Sequence, residues 1–461
     1  MTNQGANVVI CGAGIAGIAT AYHLSVGYGI DDIVLVDDRP PLSMTSDKST
    51  ECYRNWWPGP GDAMVRLMNR SIDLLEGWAD QTGNAFHMNR RGYLFATARE
   101  EQAGVYRRLG EEAEANGAGP LRIHRGAPGD PEYQPAPASG YRDQPTGADL
   151  IVDPDLIQAH FPYLTDQARA VLHARRSGWF SAQQLGTYLL EQAVDHGARL
   201  VKGRIEGVDH RGGRVRAAKV RTEHEQIDLT TDHFVIAAGP KAQEVAGMVG
   251  VDLPMYCELH SKVSMPDRSG AVPRDAPLLI WSDPQQLSWS QEEVDVLEDD
   301  PEVAWLLEEL PAGAHGRPEG PDDSPMILLL WTYHTEPVEP TFPPDHDEML
   351  YPEIALRGLS TMVPALEQYI GRMPRPFVDG GYYAKTRENR PLIGPLPVEG
   401  AYLIGALSGF GLMASPAAGE LLAQHITGSD LPEHEWWFRL DRYENPEYQM
   451  LLENWGSSGQ L

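Results

Sequence analysis

Residues 7–37 constrain the fold more than any other stretch. N-V-V-I-C (7–11) is a short, nearly unbroken apolar run, and G-A-G-I-A-G follows it as Gly12, Ala13, Gly14, Ile15, Ala16 and Gly17. A helical I-A-T-A-Y-H-L comes next, and a second apolar run, I-V-L-V, ends at Asp37. Apolar runs of this length, bounded by turn residues, suit strands buried on both faces in a parallel sheet. The first glycine permits a tight turn, the second lets a pyrophosphate approach the backbone, and the third lets helix and strand pack closely. The helix N-terminus offers free N–H groups and a positive dipole end to phosphate. Asp37, twenty residues beyond Gly17 and followed by Asp38, stands where a carboxylate accepts ribose hydroxyls. The unit therefore predicts dinucleotide binding. By itself it leaves NAD and FAD open.

Composition narrows the partners. The chain has 461 residues, enough for two or three domains. Its formal net charge is -29 and its pI about 4.8, so nucleic acid and anionic membrane surfaces are repelled. Cys11, Cys52 and Cys257 are isolated, which predicts no disulfide framework and no CxxC metal pair. No metal-ligand spacing and no G-x-S-x-G nucleophile elbow stands out. The polar N-terminus runs straight into a strand, predicting no signal peptide, and the apolar runs fall short of a membrane span. A soluble cytoplasmic protein is expected.

Further along, M-V-R-L-M-N-R-S-I-D-L-L has helical spacing within residues 61–77, and G-Y-L-F-A-T (92–97) reads as a strand. Residues 126–147, rich in Pro and Gly, predict a surface excursion. A helix is expected over 179–193, a strand at 199–202, a hairpin around 211–213, and a buried strand in H-F-V-I-A-A-G-P (233–240). The strands P-L-L-I-W and M-I-L-L-L-W-T-Y flank an acidic insertion at 288–310, expected as a solvated surface helix, with a lid as the alternative. Near the end, R-E-N-R-P-L-I-G-P (387–395) precedes the strand A-Y-L-I-G-A (401–406). S-G-F-G-L-M then opens a helix, S-P-A-A-G-E-L-L-A-Q-H-I, in which Pro416 suits the first turn.

The order of these segments resembles the D-amino-acid oxidase superfamily of FAD-dependent oxidoreductases, which includes glycine oxidase and sarcosine oxidase. The resemblance rests on V-V-I-C-G-A-G-I-A-G-I-A-T-A-Y-H-L, G-W-F-S-A-Q-Q-L, F-V-I-A-A-G-P, R-E-N-R-P-L-I-G and S-G-F-G-L-M-A-S-P-A-A-G. It spans most of the chain and favours FAD over NAD. The implied fold is an α/β Rossmann-like FAD-binding domain interleaved with an α+β substrate domain built on an antiparallel sheet. The FAD-binding parts are expected at 1–84, 171–254 and 379–430, and the substrate parts at 85–170 and 255–378. A C-terminal tail at 431–461 completes the chain. Strands near Gly92, Leu278 and Leu328 fit the substrate sheet.

The resemblance also implies site residues. Gly12, Ala13, Gly14, Ile15, Ala16, Gly17, Asp37, Asp38, Thr50, Ala238, Gly239, Gly409, Phe410, Gly411, Leu412 and Met413 are expected to hold FAD. The helix that includes Ser415 would face the edge of the flavin that becomes anionic. Thr50-Glu51-Cys52-Tyr53-Arg54 matches the T-x-x-x-R pattern of sarcosine-oxidase-like members, which brings Arg54 to a substrate carboxylate or to reduced flavin. Trp56 and Trp57 would wall the site. The alternative is Arg54 paired with Glu51 or another carboxylate, with the tryptophans in the core. His260 and Lys262 share a strand face, and a lysine near the flavin can assist oxygen reduction. His334 is a further candidate base.

Departures from the family pattern bear on substrate and linkage. Gly381 stands where sarcosine oxidase carries its flavin-linked cysteine, so FAD is expected to bind noncovalently, with Cys52 as the alternative tether. Met413 replaces a lysine, Phe410 a histidine, and Tyr383 the carboxylate-binding arginine of glycine oxidase. Lys385 is expected to face away from Tyr383. A small amino acid held by two cations is therefore not expected; a bulkier, more apolar amine, or a carboxylate held by Arg54 alone, fits better. The implied activity is oxidation of a C–N bond of an amine or amino acid to an imine by hydride transfer to flavin N5, with Arg54, His260, Lys262 and Tyr383 as catalytic candidates. O2, a quinone or another electron carrier would accept the electrons. The alternatives are oxidation of a 2-hydroxy acid or other alcohol, or a flavin-binding subunit that needs a partner.

Overall fold

The computed structural model describes residues 4–321, 323–334 and 336–455. Val8–Cys11 forms the centre of a six-stranded sheet, with Ile33–Asp37 on one side and His233–Ile236 on the other, all parallel. Ala198–Lys202 extends one edge, Ala401–Gly405 the other, and Leu392–Pro395 closes it antiparallel. The central strands are buried on both faces, which is why they read as continuous apolar runs rather than alternating ones. Helix Ile15–Tyr22 crosses helix Gly411–Thr427 closely: a Cβ on Gly419 would lie 2.8 Å from the Ala19 carbonyl carbon. The glycine-turn unit and helix Gly411–Thr427 are thereby tied together.

The second domain is a nine-stranded sheet in the order Phe377–Lys385, Tyr256–Pro266, Met326–Leu330, His315–Pro318, Leu278–Trp281, Tyr93–Thr97, Ala170–Ala174, Ala148–Ile151 and Leu121–His124. Its pairing is mostly antiparallel, with parallel joints at Leu278↔Tyr93 and Leu121↔Ala148. The expected strands near Gly92, Leu278 and Leu328 all belong to it. Alternation sets its two faces. Leu94, Ala96, Leu279, Trp281, Val263 and Leu329 face the substrate-domain core, whereas Tyr93, Phe95, Leu278 and Ile280 join the core of the FAD-binding domain.

Several sequence expectations need correction. Ala170–Ala174 and Phe377–Lys385 are strands of the second sheet, so it runs across the boundaries expected at 170/171 and 378/379. Continuous ladders, from Tyr93↔Ala174 to Tyr256↔Lys385, hold them there. The helix that contains Pro416 starts at Gly411 after a tight turn at Ser408–Phe410, which puts Pro416 inside it rather than in the first turn. Residues 431–455 are docked: Phe438 and Tyr448 are buried, and Arg442, 2% exposed, donates to Glu388 Oε1 at 2.7 Å. Tyr443 and Tyr448 hydroxyls reach the same oxygen. In the acidic insertion, helix Gln291–Asp299 is capped by Ser290 and Glu293 and leaves Val296 exposed while burying Leu297. Arg357 ties it down through Glu293 at 2.6 Å.

Candidate active site

A cleft enclosing about 1300 Å³, its open mouth included, runs along the C-terminal ends of the parallel strands. This is where an open α/β sheet binds ligands. Of the expected FAD residues, Gly12, Gly14, Ile15, Ala16, Asp37, Asp38, Ala238, Gly239, Gly409, Gly411 and Leu412 line it. Ala13, Gly17, Thr50, Phe410 and Met413 do not. Ala13 donates its N–H to Asp37 Oδ2 (2.7 Å), and Phe410 and Met413 are buried. Thr50 turns its carbonyl to Arg317, which donates from Nε and Nη2 at 2.9 and 2.8 Å.

The glycine loop fits a nucleotide. Gly12 has φ +116, and a Cβ there would lie 2.3 Å from the Ala237 carbonyl oxygen. A Cβ on Gly17 would come to 2.1 Å from the Gly12 carbonyl oxygen, so the helix can start this close only without one. Ser46 accepts from Ile15 N–H at 3.1 Å and lines the cleft with Thr45, a contribution with no distinct sequence signal. Arg39 N–H occupies Asp37 Oδ1 at 3.0 Å. Each carboxylate oxygen keeps a further lone-pair direction for ribose hydroxyls. At the far end, Ala406 and Ser408 hold φ of 51 and 49 just before helix Gly411–Thr427. The N-terminus of that helix opens on the cleft at Gly411 and Leu412, and its dipole favours negative charge there.

Arg54 ends the short strand Cys52–Arg54, paired with Ser177–Trp179. It is 7% exposed, and its Nε has no hydrogen-bond partner. Glu51 does not pair with it. Glu51 instead accepts from Ala182 N–H (2.8 Å) and lies 3.5 Å from Arg317. No carboxylate lies within ion-pair distance of Arg54 among the described residues; its guanidinium sits over Trp57 (4.6 Å) and Tyr93 (5.6 Å). Burial pulls its pKa down. Trp56 and Trp57 are in the core, and Trp57 meets Phe410 edge to face at 5.0 Å. The tryptophans thus follow the core alternative, and neither lines the cleft.

On the face of the second sheet turned toward this site, Glu258, His260 and Lys262 follow the period of two. His260 Nε2 donates to Glu258 Oε2 at 2.9 Å, which leaves Nδ1 to accept from the Thr332 hydroxyl at 3.1 Å. Lys385 Nζ donates to the same Glu258 oxygen at 2.9 Å. Tyr383, which lines the cleft, stacks on the His260 ring at 3.8 Å. The expectation that Lys385 faces away from Tyr383 is therefore overturned: residues two apart share a strand face, and both stand in the Glu258–His260 cluster. Burial opposes the Glu258 anion, but the hydrogen bonds of His260 and Lys385 win and lower its pKa. Burial lowers that of His260 against the pull of Glu258. Glu258 and Lys385 were legible as partners only through that alternation.

Lys262 donates to the Ser49 carbonyl at 3.1 Å, and burial lowers its pKa. His334 is exposed, resting on Trp305 at 4.5 Å, and takes no part in the cluster. His315, not anticipated from the sequence, is buried with Nδ1 donating to the Gly313 carbonyl at 2.8 Å. Burial pushes its pKa down to about 4, and the nearby charges of His260 and Arg54 push the same way. A Cβ on Gly381 would already stand 3.2 Å from Thr45 Cα, leaving little room for a flavin-linked cysteine. Cys52 is buried with its thiol on the Thr50 carbonyl, and burial raises its pKa, which disfavours the reactive thiolate. Among the described residues, no cluster of His, Cys, Asp and Glu can hold a metal, and no helix is long and apolar enough to cross a membrane.

The chain belongs to the FAD-dependent oxidoreductase family, whose model matches residues 7–425. It is 25% identical over 264 residues to mitochondrial sarcosine dehydrogenase of Mus musculus, covering 56% of this chain and 25% of that protein. It is 23% identical over 249 residues to sarcosine oxidase subunit beta of Rhizobium meliloti (strain 1021), covering 54% of this chain and 53% of that one. The chain thus spans about a quarter and about half of the lengths of these relatives. In fold it is similar to L-proline dehydrogenase from P. horikoshii, with a TM-score of 0.71 at 19% identity over 96% of this chain and 98% of that one.

Proposed function

We propose that the protein oxidises the C–N bond of a carboxylate-bearing amine, an amino acid, to the imine. The observation that carries this reading is Arg54, buried and without a carboxylate partner. A desolvated guanidinium is costly unless an anion neutralises it, so the site is completed by an anionic ligand. With Trp57 and Tyr93 against the Arg54 guanidinium and Phe410 packed on Trp57, an amino acid with an apolar substituent fits better than a small one. Bound noncovalently, FAD would supply the two-electron acceptor, taking hydride at N5 from the substrate carbon. Gly12 and Gly14 would let the pyrophosphate approach, Asp37 would hold the ribose, and the helix from Gly411 would favour negative charge on the flavin. The aromatic walls would exclude water and strengthen the Arg54–carboxylate attraction. A substrate bound as the neutral amine needs no strong base, and both His260 nitrogens are already engaged.

The name of one relative, a subunit, supports a second reading in which turnover requires a partner. The Glu258–His260 pair supports a third, oxidation of a 2-hydroxy acid, where His260 would act as base. Anaerobic titration of the flavin band with amines, D- and L-amino acids and 2-hydroxy acids tests all three. Bleaching by amino acids but not by their decarboxylated amines is expected, and reoxidation in air identifies O2 as an acceptor. Bleaching by hydroxy acids alone would overturn the proposal.

A further inference from the structure

A proline-punctuated segment, P-V-E-P-T-F-P-P (337–344), leaves the substrate domain after Met326–Leu330. Prolines restrict the chain before it docks, so holding it in place costs less entropy than for an ordinary loop. It is fastened to two strands. Val338 N–H donates to the Cys257 carbonyl (2.8 Å), Thr341 N–H donates to the Tyr382 hydroxyl (2.9 Å), and His346 Nδ1 is hydrogen-bonded to Ser261 Oγ (2.9 Å). These anchors set Phe342 edge-on to Tyr382 at 5.6 Å. Two cations reach the same ring: the Arg39 guanidinium at 5.0 Å and Lys241 Nζ at 5.2 Å from its centroid.

The positions of those cations matter. Arg39 follows Asp37 at the end of Ile33–Asp37, and Lys241 follows Gly239 beyond His233–Ile236. These strands flank Val8–Cys11 on opposite sides, so Arg39 and Lys241 stand on opposite rims of the cleft, and both line it, as does Tyr382. Asp37 marks the ribose end of such a cleft. We propose that Phe342 is an FAD-retaining residue, carried by the substrate domain onto the adenosine end of the cleft and tied by Arg39 and Lys241 across its mouth. Release of the nucleotide then requires this segment to leave Tyr382 and both cations.

FAD affinity and release measure this without any substrate, so the result is independent of the amino-acid reading. Apoprotein is titrated with FAD by flavin fluorescence, and release is timed after dilution of the holoenzyme. Because both cation–π contacts must open before the nucleotide leaves, Phe342→Ala should weaken FAD retention about tenfold, read as a faster release rate. Phe342→Leu, which keeps the apolar packing on Tyr382, should also weaken it, whereas Phe342→Tyr should match the parent. Phe377→Ala, altering an exposed ring (64%) on the neighbouring strand, serves as the control. Lys241→Met should add less in the Phe342→Ala background than alone, because both remove one contact. FAD retention by Phe342→Leu equal to the parent's, or full additivity with Lys241→Met, would overturn the proposal.

Discussion

His260 and Tyr383 lie face to face, their ring centroids 3.8 Å apart and their planes 16° from parallel. Gly409 also packs against Tyr383: a Cβ there would stand 2.4 Å from the phenol ring. Glu258 holds the His260 ring through Nε2.

Gly409→Ala should therefore overpack the site, at a cost of about 1–3 kcal/mol. Thermal unfolding of the variant is expected at lower temperature, with reduced flavin content. Combining it with Tyr383→Ala should restore much of the loss. A double variant no better than Gly409→Ala alone would place the clash elsewhere.

Replacing Arg54 separates binding from folding. Arg54→Met leaves no buried carboxylate orphaned, because none pairs with it, so the substrate-free protein should be as stable as the parent or more so. Its kcat/KM for an amino acid should fall by about a hundredfold or more, as when a buried charge loses its partner. Amines without a carboxylate should be affected far less. Equal losses for both substrate types would remove Arg54 from the carboxylate role.

Acid should weaken the fold through His315. Its folded pKa, about 4, lies below the ordinary 6.5 because burial disfavours the charged ring. The resulting stability is full above about pH 6.5 and is lost as pH falls toward 4, since the unfolded chain binds the proton more readily. Urea midpoints between pH 7 and 4 should decline less steeply in His315→Gln than in the parent.

The docked C-terminal segment should depend on Glu388, which accepts from Arg442, Tyr443 and Tyr448 at one oxygen. Glu388→Ala would leave the buried Arg442 uncompensated and cost about 3–5 kcal/mol. Protease cleavage within 431–455 should then precede cleavage elsewhere; an unchanged digestion pattern would count against this anchor.

Much of the FAD-binding domain was readable because its information is local. The G-A-G-I-A-G turn, the flanking apolar runs and Asp37 lie within 31 consecutive residues, and each depends mainly on its own neighbours. The start of helix Gly411–Thr427 was misread because Pro416 suggested a first turn, while Gly411 was already helical. Lys385 was misplaced by overlooking the period of two, although the sequence held the correct answer. His315 and Phe342 carry no local mark: their importance comes from what other segments bring beside them.

The sequence by itself determined the strands, the glycine turn and the acid that ends the second strand, because backbone sterics and burial period act between near neighbours. Only the tertiary structure decided that Glu51 turns to Arg317 and leaves Arg54 unpaired, and that Glu258 serves both His260 and Lys385. Those pairings join residues as much as 266 positions apart. Which charges meet is settled when the two sheets pack and desolvation makes each buried group find, or lack, a partner.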